Sequence, residues 1–188
     1  MAKLIGFKKI KTSVFISGRG SNFKNLVRFS LTKNSPIKIF CVISNNLNAE
    51  GLITAKKYRI KKKIYDSETK IINYLNKNKI ELICLAGFMK VLSKNFINNF
   101  KGKIINIHPS LLPKYKGLNT HQRVINNCEK ISGCTVHFVS AKLDSGKIIL
   151  QKTVKISKKD TPSTLAKRIL KQEHILYPKA IKKLVASL

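Results

Sequence analysis

The sequence predicts an α/β fold with a mostly parallel central sheet, helices on both faces and an antiparallel C-terminal part. Short apolar runs alternate with helical periodicity over the first part of the chain, as in parallel sheets with crossover helices. The run IKIFCVIS at 37–44 is apolar on both faces, which is typical of a buried parallel strand. Two later strand-like runs flank a turn at 144–146, which predicts a hairpin. At 188 residues, we expect 1–188 to form one domain.

The individual elements follow from local patterns. Strands are expected at apolar, β-branched runs, at 13–17, 37–44, around 64, 82–86, 103–108, 133–139 and 147–156. Helices are expected at segments of helical periodicity, at 21–31, 51–58, 67–78, from 93 and at 161–188. Ser21, Asn22 and Asn48 are candidate N-caps, because their side chains can accept hydrogen bonds from first-turn N–H groups. Pro178 is expected to kink or divide the last helix.

Lysine dominates the charged residues. The chain has 38 Lys and Arg against 8 Asp and Glu, a formal net charge of +30, and only five of the 38 are Arg. The lysines are spread along the whole chain, without an RNP-like aromatic motif, a zinc finger or a basic zipper. This favours a general lysine enrichment, while a basic nucleic-acid-binding module stays open as an alternative. Either way, the charge predicts attraction to anionic small molecules and polyanions.

Simple counts exclude several classes of protein. The longest strongly apolar run, 82–89, is far shorter than the roughly 20 residues that cross a bilayer, so we expect no membrane partner. The N-terminal segment MAKLIGFKKIK (1–11) lacks the apolar region of a secretory signal. Four cysteines form no CxxC pair, and no group of histidines and carboxylates has ligand spacing. We therefore expect no metal and a reducing, cytoplasmic location.

The segment SGRGSN at 17–22 follows a predicted strand and opens a predicted helix. Backbone N–H groups and the helix dipole at such a junction form a cradle for phosphate, although a plain tight turn is the alternative. The segment matches neither GxGxxG nor GxxxxGK[ST]. It therefore indicates neither NAD nor a P-loop nucleotide.

A second polar group lies at the end of the predicted strand 103–108. Asn106 and His108 are two residues apart, so they project from the same face of the strand. An amide that donates to a developing oxyanion, beside an imidazole that moves protons, suits acyl transfer, while a structural histidine is the alternative. Asp144 lies in the turn of the predicted hairpin. It is either a turn former or a partner that orients His108.

With these residues identified, the chain resembles the phosphoribosylglycinamide formyltransferases, a family of folate-dependent formyltransferases. The resemblance runs from about Thr12 to Pro178 through SGRGSN at 17–22, VISN at 42–45, AGFMKVLS at 86–93, NIHPSLLPKYKGLNTH at 106–121, GCTVHFV at 133–139, KLDSGKIILQ at 142–151 and QEHILYP at 172–178. It implies a Rossmann-like formyltransferase fold and formyl transfer from the co-substrate 10-formyltetrahydrofolate to the amine of 5-phosphoribosylglycinamide (GAR) in de novo purine biosynthesis. Neither a metal nor ATP is implied. We expect small-molecule substrates, no specific nucleic acid, and a monomer or homodimer.

The resemblance also implies residue roles, including a catalytic trio of Asn106, His108 and Asp144 and a cis peptide before Pro113. The implied GAR site consists of Gly20, Ser21, Asn22, Leu170, Lys171, Gln172 and Glu173. The implied folate site consists of Met89, Lys90, Val91, Leu92, Asn106, Ser140, Ala141, Lys142, Leu143 and Asp144. His121 and His174 are expected to shape the nucleotide side. His137, inside a strand, is expected to be a packed or hydrogen-bonded core residue.

The chain departs from the family pattern at several positions. In the loop 114–121, Lys116 and Asn119 replace a frequent proline and histidine, so we expect a more mobile loop. The folate loop has Lys142 and Ser145 where members often have glutamate and glycine. A folate-contacting arginine is not found near position 68, where Glu68 and Lys70 lie.

Two related enzymes stay open as alternatives. A methionyl-tRNA formyltransferase-like enzyme would share the formyl site, and the charge of +30 would suit tRNA. A formyltetrahydrofolate hydrolase would share the trio. Both families usually carry a further domain, which we do not expect here.

Overall fold

A seven-stranded sheet forms the centre of the described part of the protein. The structure, a computed structural model, describes residues 8–187; the first seven residues and the last residue of the predicted domain, and most of the segment 1–11, lie outside the described residues. In chain order the elements are β1 (Ile10–Ile16), α1 (Ser21–Ser30), β2 (Ile37–Ser44), α2 (Gly51–Lys57), β3 (Lys61–Ile64), α3 (Glu68–Lys77), β4 (Leu82–Leu85), α4 (Lys94–Asn99), β5 (Lys103–His108), α5 (Thr120–Asn126), β6 (Ile131–Phe138), β7 (Ile148–Lys155) and α6 (Pro162–Val185).

The strand order is β3-β2-β1-β4-β5-β6-β7. Strands β1 to β5 pair in parallel, whereas β6 pairs antiparallel with β5, and β7 antiparallel with β6. This arrangement confirms the predicted mostly parallel sheet with an antiparallel C-terminal part. The direction of winding reverses at β1, which lies between β2 and β4. Ligands of open α/β sheets usually bind beyond the strand ends at such a switch point.

Helices cover both faces of the sheet. Alternate side chains of a strand point to opposite faces, and β1 shows this directly. Its Val14 and Ile16 belong to one apolar cluster, together with side chains of α1, α2 and α6. Phe15, between them, belongs to a second cluster with side chains of α3 and α4. Burial on both faces explains why the central strands read as nearly continuous apolar runs.

The start of α1 differs from the sequence prediction. Gly20, not Ser21 or Asn22, occupies the N-cap position, with φ 69° and no side-chain cap bond. A Cβ on Gly20 would lie 2.7 Å from the Cα of Gly51, the first residue of α2. Only glycine combines this left-handed conformation with so close an approach between two helix starts. The first-turn N–H groups of α1 are therefore left without a capping side chain.

The prediction that Asn48 caps α2 was also wrong. Glu50 occupies the N-cap position and makes no side-chain cap bond. The N–H of Asn48 instead donates to Oδ1 of Asn46 at 2.9 Å, in a turn before the helix. By contrast Ser67, Ser93 and Thr161 accept hydrogen bonds from first-turn N–H groups and cap α3, α4 and α6, as the helix starts in the sequence indicated.

Of the two outcomes predicted for Pro178, a kink or a division of the C-terminal helix, division is wrong. Helix α6 runs unbroken from Pro162 to Val185 with Pro178 inside it. A proline has no N–H for the carbonyl four residues earlier, which here belongs to His174. Nδ2 of Asn25, on α1, donates to that carbonyl oxygen at 2.7 Å. A tertiary contact therefore replaces the hydrogen bond that the proline removes. The sequence analysis also missed α5.

Candidate active site

A cavity lies at the carboxyl ends of β1, β4 and β5, next to the point where the winding reverses. Its volume is about 700 Å³. The lining comes from both halves of the chain and comprises Ser17, Gly18, Arg19, Gly20, Ser21, Asn22, Leu85, Ala86, Gly87, Phe88, Met89, Lys90, Val91, Leu92, Asn106, Ile107, Pro109, Gly117, Leu118, His121, His137, Val139, Ser140, Leu143, Asp144, Ala166, Leu170 and Glu173. This size and position are typical of a small-molecule site.

One end of the cavity is the loop 17–20 and the first turn of α1. Helix first-turn N–H groups have no partner within the helix, and the helix dipole adds partial positive charge there. The exposed side chain of Arg19 adds a full positive charge beside them. Backbone donors, dipole and guanidinium together suit a phosphate group.

A buried pair closes this end from the other side. Nδ2 of Asn22 donates to Oε2 of Glu173 at 2.6 Å, across 151 residues of sequence. Burial raises the pKa of Glu173, an effect that the hydrogen bond from Asn22 partly offsets. The buried Oδ1 of Asn22 has no hydrogen-bond partner among the described residues.

The predicted GAR residues on α6 are only partly brought to the cavity. Leu170 and Glu173 line it, together with Ala166, since residues three and four apart share one helix face. Lys171 and Gln172 do not line it. Gln172 lines a separate hollow of about 250 Å³.

Asn106 and His108 leave β5 from the same face, and Asp144 meets them from the loop between β6 and β7. Nδ1 of His108 lies 3.4 Å from Oδ2 of Asp144, and both side chains are almost fully buried. Nε2 of His108 lies 2.8 Å from the carbonyl oxygen of Tyr115. An imidazolium, which donates from both nitrogens, satisfies both contacts. Asn106 and Asp144 line the cavity, whereas His108 lies behind them.

Asp144 is held in place by more than its turn. It adopts a left-handed conformation with φ 45°, which aspartate tolerates better than most residues. Its Oδ2 accepts a hydrogen bond from the N–H of Gly117 at 2.9 Å, so the carboxylate joins the 114–121 loop to the β6–β7 loop. Its position beside His108 agrees with the pairing that the sequence suggested.

His137 lies at the site as well as in the core. It is buried on β6, and Nδ1 lies 2.8 Å from the carbonyl oxygen of Phe138, which requires a proton on Nδ1. Burial lowers the pKa of His137, and the charge of His108 adds to this, against the Phe138 hydrogen bond and Asp144. Nε2 of the neutral ring then accepts from Nδ2 of Asn106, 3.3 Å away. His137 thereby fixes the orientation of the Asn106 amide.

His121, on α5, lines the cavity near this group. Burial lowers the pKa of His121, and the charge of His108 acts in the same direction. Its buried Nδ1 has no partner among the residues that the structure describes. His174 does not line the cavity; burial, followed by the charge of Arg28, lowers its pKa.

Another part of the cavity wall is apolar and unusually exposed. Met89, Val91, Leu118 and Leu143 line it and are between 51% and 70% exposed. Exposed large apolar side chains that converge on one cavity mark a binding surface for an apolar or aromatic group. Of the predicted folate residues, Ala141 and Lys142 do not line the cavity, and the others do.

The region near position 68, where the resemblance implied a folate-contacting arginine, also lies outside the cavity. Glu68 accepts hydrogen bonds from the N–H and Oγ of Ser93, and Lys70 pairs with Asp66 at the surface. Neither Glu68 nor Lys70 lines the cavity. The peptide bond before Pro113 is cis, as the resemblance implied.

Several cavity residues escaped the sequence reasoning. Some lie inside or beside the motifs, so that adjacency was an available signal: Ser17, Arg19, Phe88 and Pro109. Ala166 precedes Leu170 by four residues and Glu173 by seven, which helical spacing could have indicated. Leu118 lies inside the motif 106–121, so that membership was an available signal for it as well. Among the described residues no cluster of histidine, cysteine and acidic side chains is placed to hold a metal, and no helix is long and apolar enough to cross a membrane.

Comparisons with known proteins agree with this geometry. Residues 10–181 match the formyl transferase family. Phosphoribosylglycinamide formyltransferase of Haemophilus influenzae is 41% identical over 181 residues, which are 92% of this chain and 85% of that protein. The human trifunctional purine biosynthetic protein adenosine-3 is 39% identical over 189 residues, 96% of this chain; the chain spans only 19% of that longer protein. The chicken protein of the same name is 40% identical over 95% of this chain, and the chain again spans only 19% of that longer protein.

Solved structures show the same similarity. Phosphoribosylglycinamide formyltransferase of Anaplasma phagocytophilum superposes with a TM-score of 0.90 at 43% identity, covering 96% of this chain and 88% of that one. The Brucella melitensis enzyme of the same name superposes with a TM-score of 0.89 at 41% identity, covering 96% and 98%. Because the family match and these relatives cover nearly the whole chain, it belongs to the formyl transferase family and, within it, to the phosphoribosylglycinamide formyltransferases.

Proposed function

We propose that the protein transfers a formyl group from 10-formyltetrahydrofolate to the amine of GAR, giving formyl-GAR in de novo purine biosynthesis. One observation carries the proposal: a single cavity is lined by a helix start suited to phosphate, by exposed apolar side chains, and by Asn106 and Asp144, the latter paired with His108. The name of the Haemophilus relative supports the same substrate.

The two substrates are assigned to different parts of the cavity wall. The first turn of α1 from Gly20 to Asn22 would bind the GAR phosphate, and Glu173 would accept hydrogen bonds from its sugar. Leu170 would pack beside the sugar. Lys171 and Gln172 do not line the cavity, so their proposed contribution to GAR binding is indirect. The apolar side chains of 89–92 and Leu143 would cover the ring system of the folate. In this assignment the GAR amine and the formyl group would meet near Asn106, which lines the same cavity.

The proposed chemistry is direct acyl transfer. The amine attacks the formyl carbon, and the Asn106 amide donates a hydrogen bond to the oxygen as it becomes negative. His137 keeps the amide oriented by accepting its second proton. The imidazolium of His108 gives a proton to the nitrogen of the folate as its bond to the formyl carbon breaks, and Asp144 stabilises the imidazolium charge. The attacking amine loses one proton as it becomes the formamide, and this proton restores the imidazolium, so that no net proton is gained or lost. The formyl donor is already activated, so the reaction consumes no ATP.

His108 must be released before it can deliver its proton. Nε2 faces the carbonyl oxygen of Tyr115, and Nδ1 faces Asp144. The nitrogen that turns to the substrate is Nε2, because Asp144 has to stay paired with Nδ1. We therefore propose that the loop 114–121 moves when substrates bind, which is in line with the mobility expected from Lys116 and Asn119.

The setting of the enzyme is proposed on the same basis. Cys41, Cys84, Cys128 and Cys134 are free thiols, which suits a reducing compartment, and we propose the cytoplasm. Burial raises the pKa of Cys84 and of Cys134 to about 12 each, so these thiols stay protonated and unreactive. The partners are small molecules, and we propose a monomer or homodimer, which light scattering measures.

The deciding experiment is a turnover assay of the purified chain with 10-formyltetrahydrofolate. We expect formyl-GAR, detected by mass spectrometry, only when GAR is present. Asn106→Ala should lower kcat by about 10²–10³-fold, as loss of an oxyanion donor does. Asn34→Ala, at an exposed position, is the matched control and should be unaffected. Transfer to charged methionyl-tRNA, or release of formate without GAR, at a comparable rate would replace this proposal with one of the two alternative enzymes.

A further inference from the structure

Ser17 lies at the junction of three loops at the edge of the cavity. It follows β1, and its Oγ accepts a hydrogen bond from the N–H of Met89 at 2.8 Å and donates to Oδ1 of Asn45 at 2.6 Å. Its own N–H donates to the carbonyl oxygen of Gly87 at 3.0 Å. One residue therefore connects the loops that follow β1, β2 and β4.

The same residue begins the loop that leads into α1. The carbonyl oxygen of Ser17 accepts from Nδ2 of Asn46 at 3.1 Å. The next carbonyl, of Gly18, accepts from the N–H of Gly51 at 3.1 Å. These contacts fix the path of 17–20, and with it the position of the first-turn N–H groups proposed to bind phosphate.

The segment 88–92, proposed to cover the folate, is held at both ends. Ser17 binds its N-terminal end through the N–H of Met89. At its C-terminal end, Glu68 accepts from the N–H of Ser93 at 3.1 Å and from the Ser93 hydroxyl. Glu68 also accepts a hydrogen bond from the Tyr65 hydroxyl at 3.2 Å. This second anchor therefore consists of the first residue of α3 and the segment that precedes the helix. Of the two anchors, only Ser17 is also part of the phosphate loop.

We propose that Ser17 is a positioning residue that couples the two substrate sites. The inference rests on the proposed assignment of phosphate to the α1 start and folate to 88–92. A phosphate bound at the first turn of α1 further stabilises the arrangement of the loop 17–20 in which the Ser17 hydroxyl holds the N–H of Met89. GAR thereby favours the arrangement that the folate needs. By linkage, the folate favours GAR binding by the same factor.

The size of the coupling is limited by the hydrogen bond that carries it. One such bond contributes a net factor of about two- to tenfold at equilibrium. The test compares the Kd of tetrahydrofolate, which has no formyl group to transfer, with and without saturating GAR by calorimetry. In the parent protein we expect GAR to tighten tetrahydrofolate binding by about two- to tenfold. In Ser17→Ala the two Kd values should become equal.

Two further variants separate coupling from general damage. Ser17→Thr keeps the hydroxyl and should restore most of the ratio between the two Kd values. Glu68→Ala loosens the other anchor and should weaken tetrahydrofolate binding equally with and without GAR, leaving the ratio unchanged. Thermal unfolding confirms that each variant is folded at the temperature of the titration.

The outcomes that oppose the proposal are specific. It is overturned if the parent shows the same Kd with and without GAR, or if Ser17→Ala keeps the ratio of the parent. It is also overturned if Ser17→Thr behaves like Ser17→Ala, because the effect would then arise from packing and not from the hydroxyl. A parent that makes no formyl-GAR refutes the proposed function itself, whereas an active parent without the Kd ratio refutes only the coupling.

Discussion

Replacement of Asp144 by asparagine separates the charge of this side chain from its shape. The amide oxygen of the variant can still accept a hydrogen bond from the N–H of Gly117, which lies 2.9 Å from Oδ2 in the native protein. The negative charge 3.4 Å from Nδ1 of His108 is lost. Because both side chains are almost fully buried, water screens this interaction little, and its loss should be felt in catalysis.

The expected effect follows from the contact that is removed. A hydrogen bond to a charged group contributes about 1.5–3 kcal/mol, which corresponds to roughly 10–150-fold in rate. We expect kcat to fall by about this factor, and KM for GAR and for the folate to change by less than about threefold, since the pair acts on the transition state. Steady-state kinetics with both substrates varied measures the split between kcat and KM.

A matched control keeps this result interpretable. Asp66→Asn removes an exposed carboxylate that pairs with Lys70 at the surface, and it should leave kcat unchanged. Asp144→Asn should remain folded in thermal unfolding. If its kcat stays within twofold of the parent value, Asp144 serves only to shape the loop, and the catalytic group shrinks to Asn106 and His108.

Three further changes test the structure around the site. Glu173→Gln should remove a pH dependence of stability. The raised pKa of Glu173 means that the folded state holds the carboxyl proton more tightly than the unfolded state, so the parent loses stability as pH rises from about the ordinary 4.5 through the raised pKa. The variant should not show this loss, and urea unfolding from pH 4 to 8 measures the difference. Asn25→Ala should lower the free energy of unfolding by about 1 kcal/mol, because the carbonyl of His174, four residues before Pro178, loses its hydrogen-bond donor. Urea unfolding measures this loss, with Asn34→Ala as the control. His137→Phe should lower kcat by about two- to tenfold with little change in KM, because Asn106 loses its acceptor; an unchanged kcat would show that Asn106 needs no such support.

The sequence predicted the sheet well because its signal is local. Buried parallel strands such as 37–44 must be apolar on both faces, and serines such as Ser67 and Ser93 mark helix starts by their own chemistry. The failures have a common physical origin in contacts between distant segments. At Pro178, Asn25 satisfies the carbonyl of His174 that the proline leaves without a donor, and at the N-cap of α1 the approach of Gly51 leaves no room for a Cβ on residue 20. Neither contact can be inferred from residues that are neighbours in the sequence.

The same distinction applies to the site. Asn106 and His108 could be paired from their spacing on one strand, and SGRGSN could be read as a phosphate loop from its place between a strand and a helix. The contacts that orient these groups could not. His137 looked like a core histidine, and only the fold shows that its Nε2 lies 3.3 Å from the Asn106 amide. Helix α5, whose start at Asn119 is left-handed and has no side-chain cap, lacked a recognisable start signal.

The distribution of the few acidic residues helps to interpret the charge of +30. Seven of the eight carboxylates accept hydrogen bonds or form ion pairs at defined places in the fold: Asp66, Glu68, Glu81, Glu129, Asp144, Asp160 and Glu173. These acids thus lie where a particular hydrogen-bond donor faces them, while lysine occupies positions all along the chain. This pattern fits an overall lysine enrichment better than a dedicated nucleic-acid surface. It still has a consequence for the proposed reaction, because a strongly positive protein attracts the phosphate of GAR and the carboxylates of folate, and added salt should slow their capture.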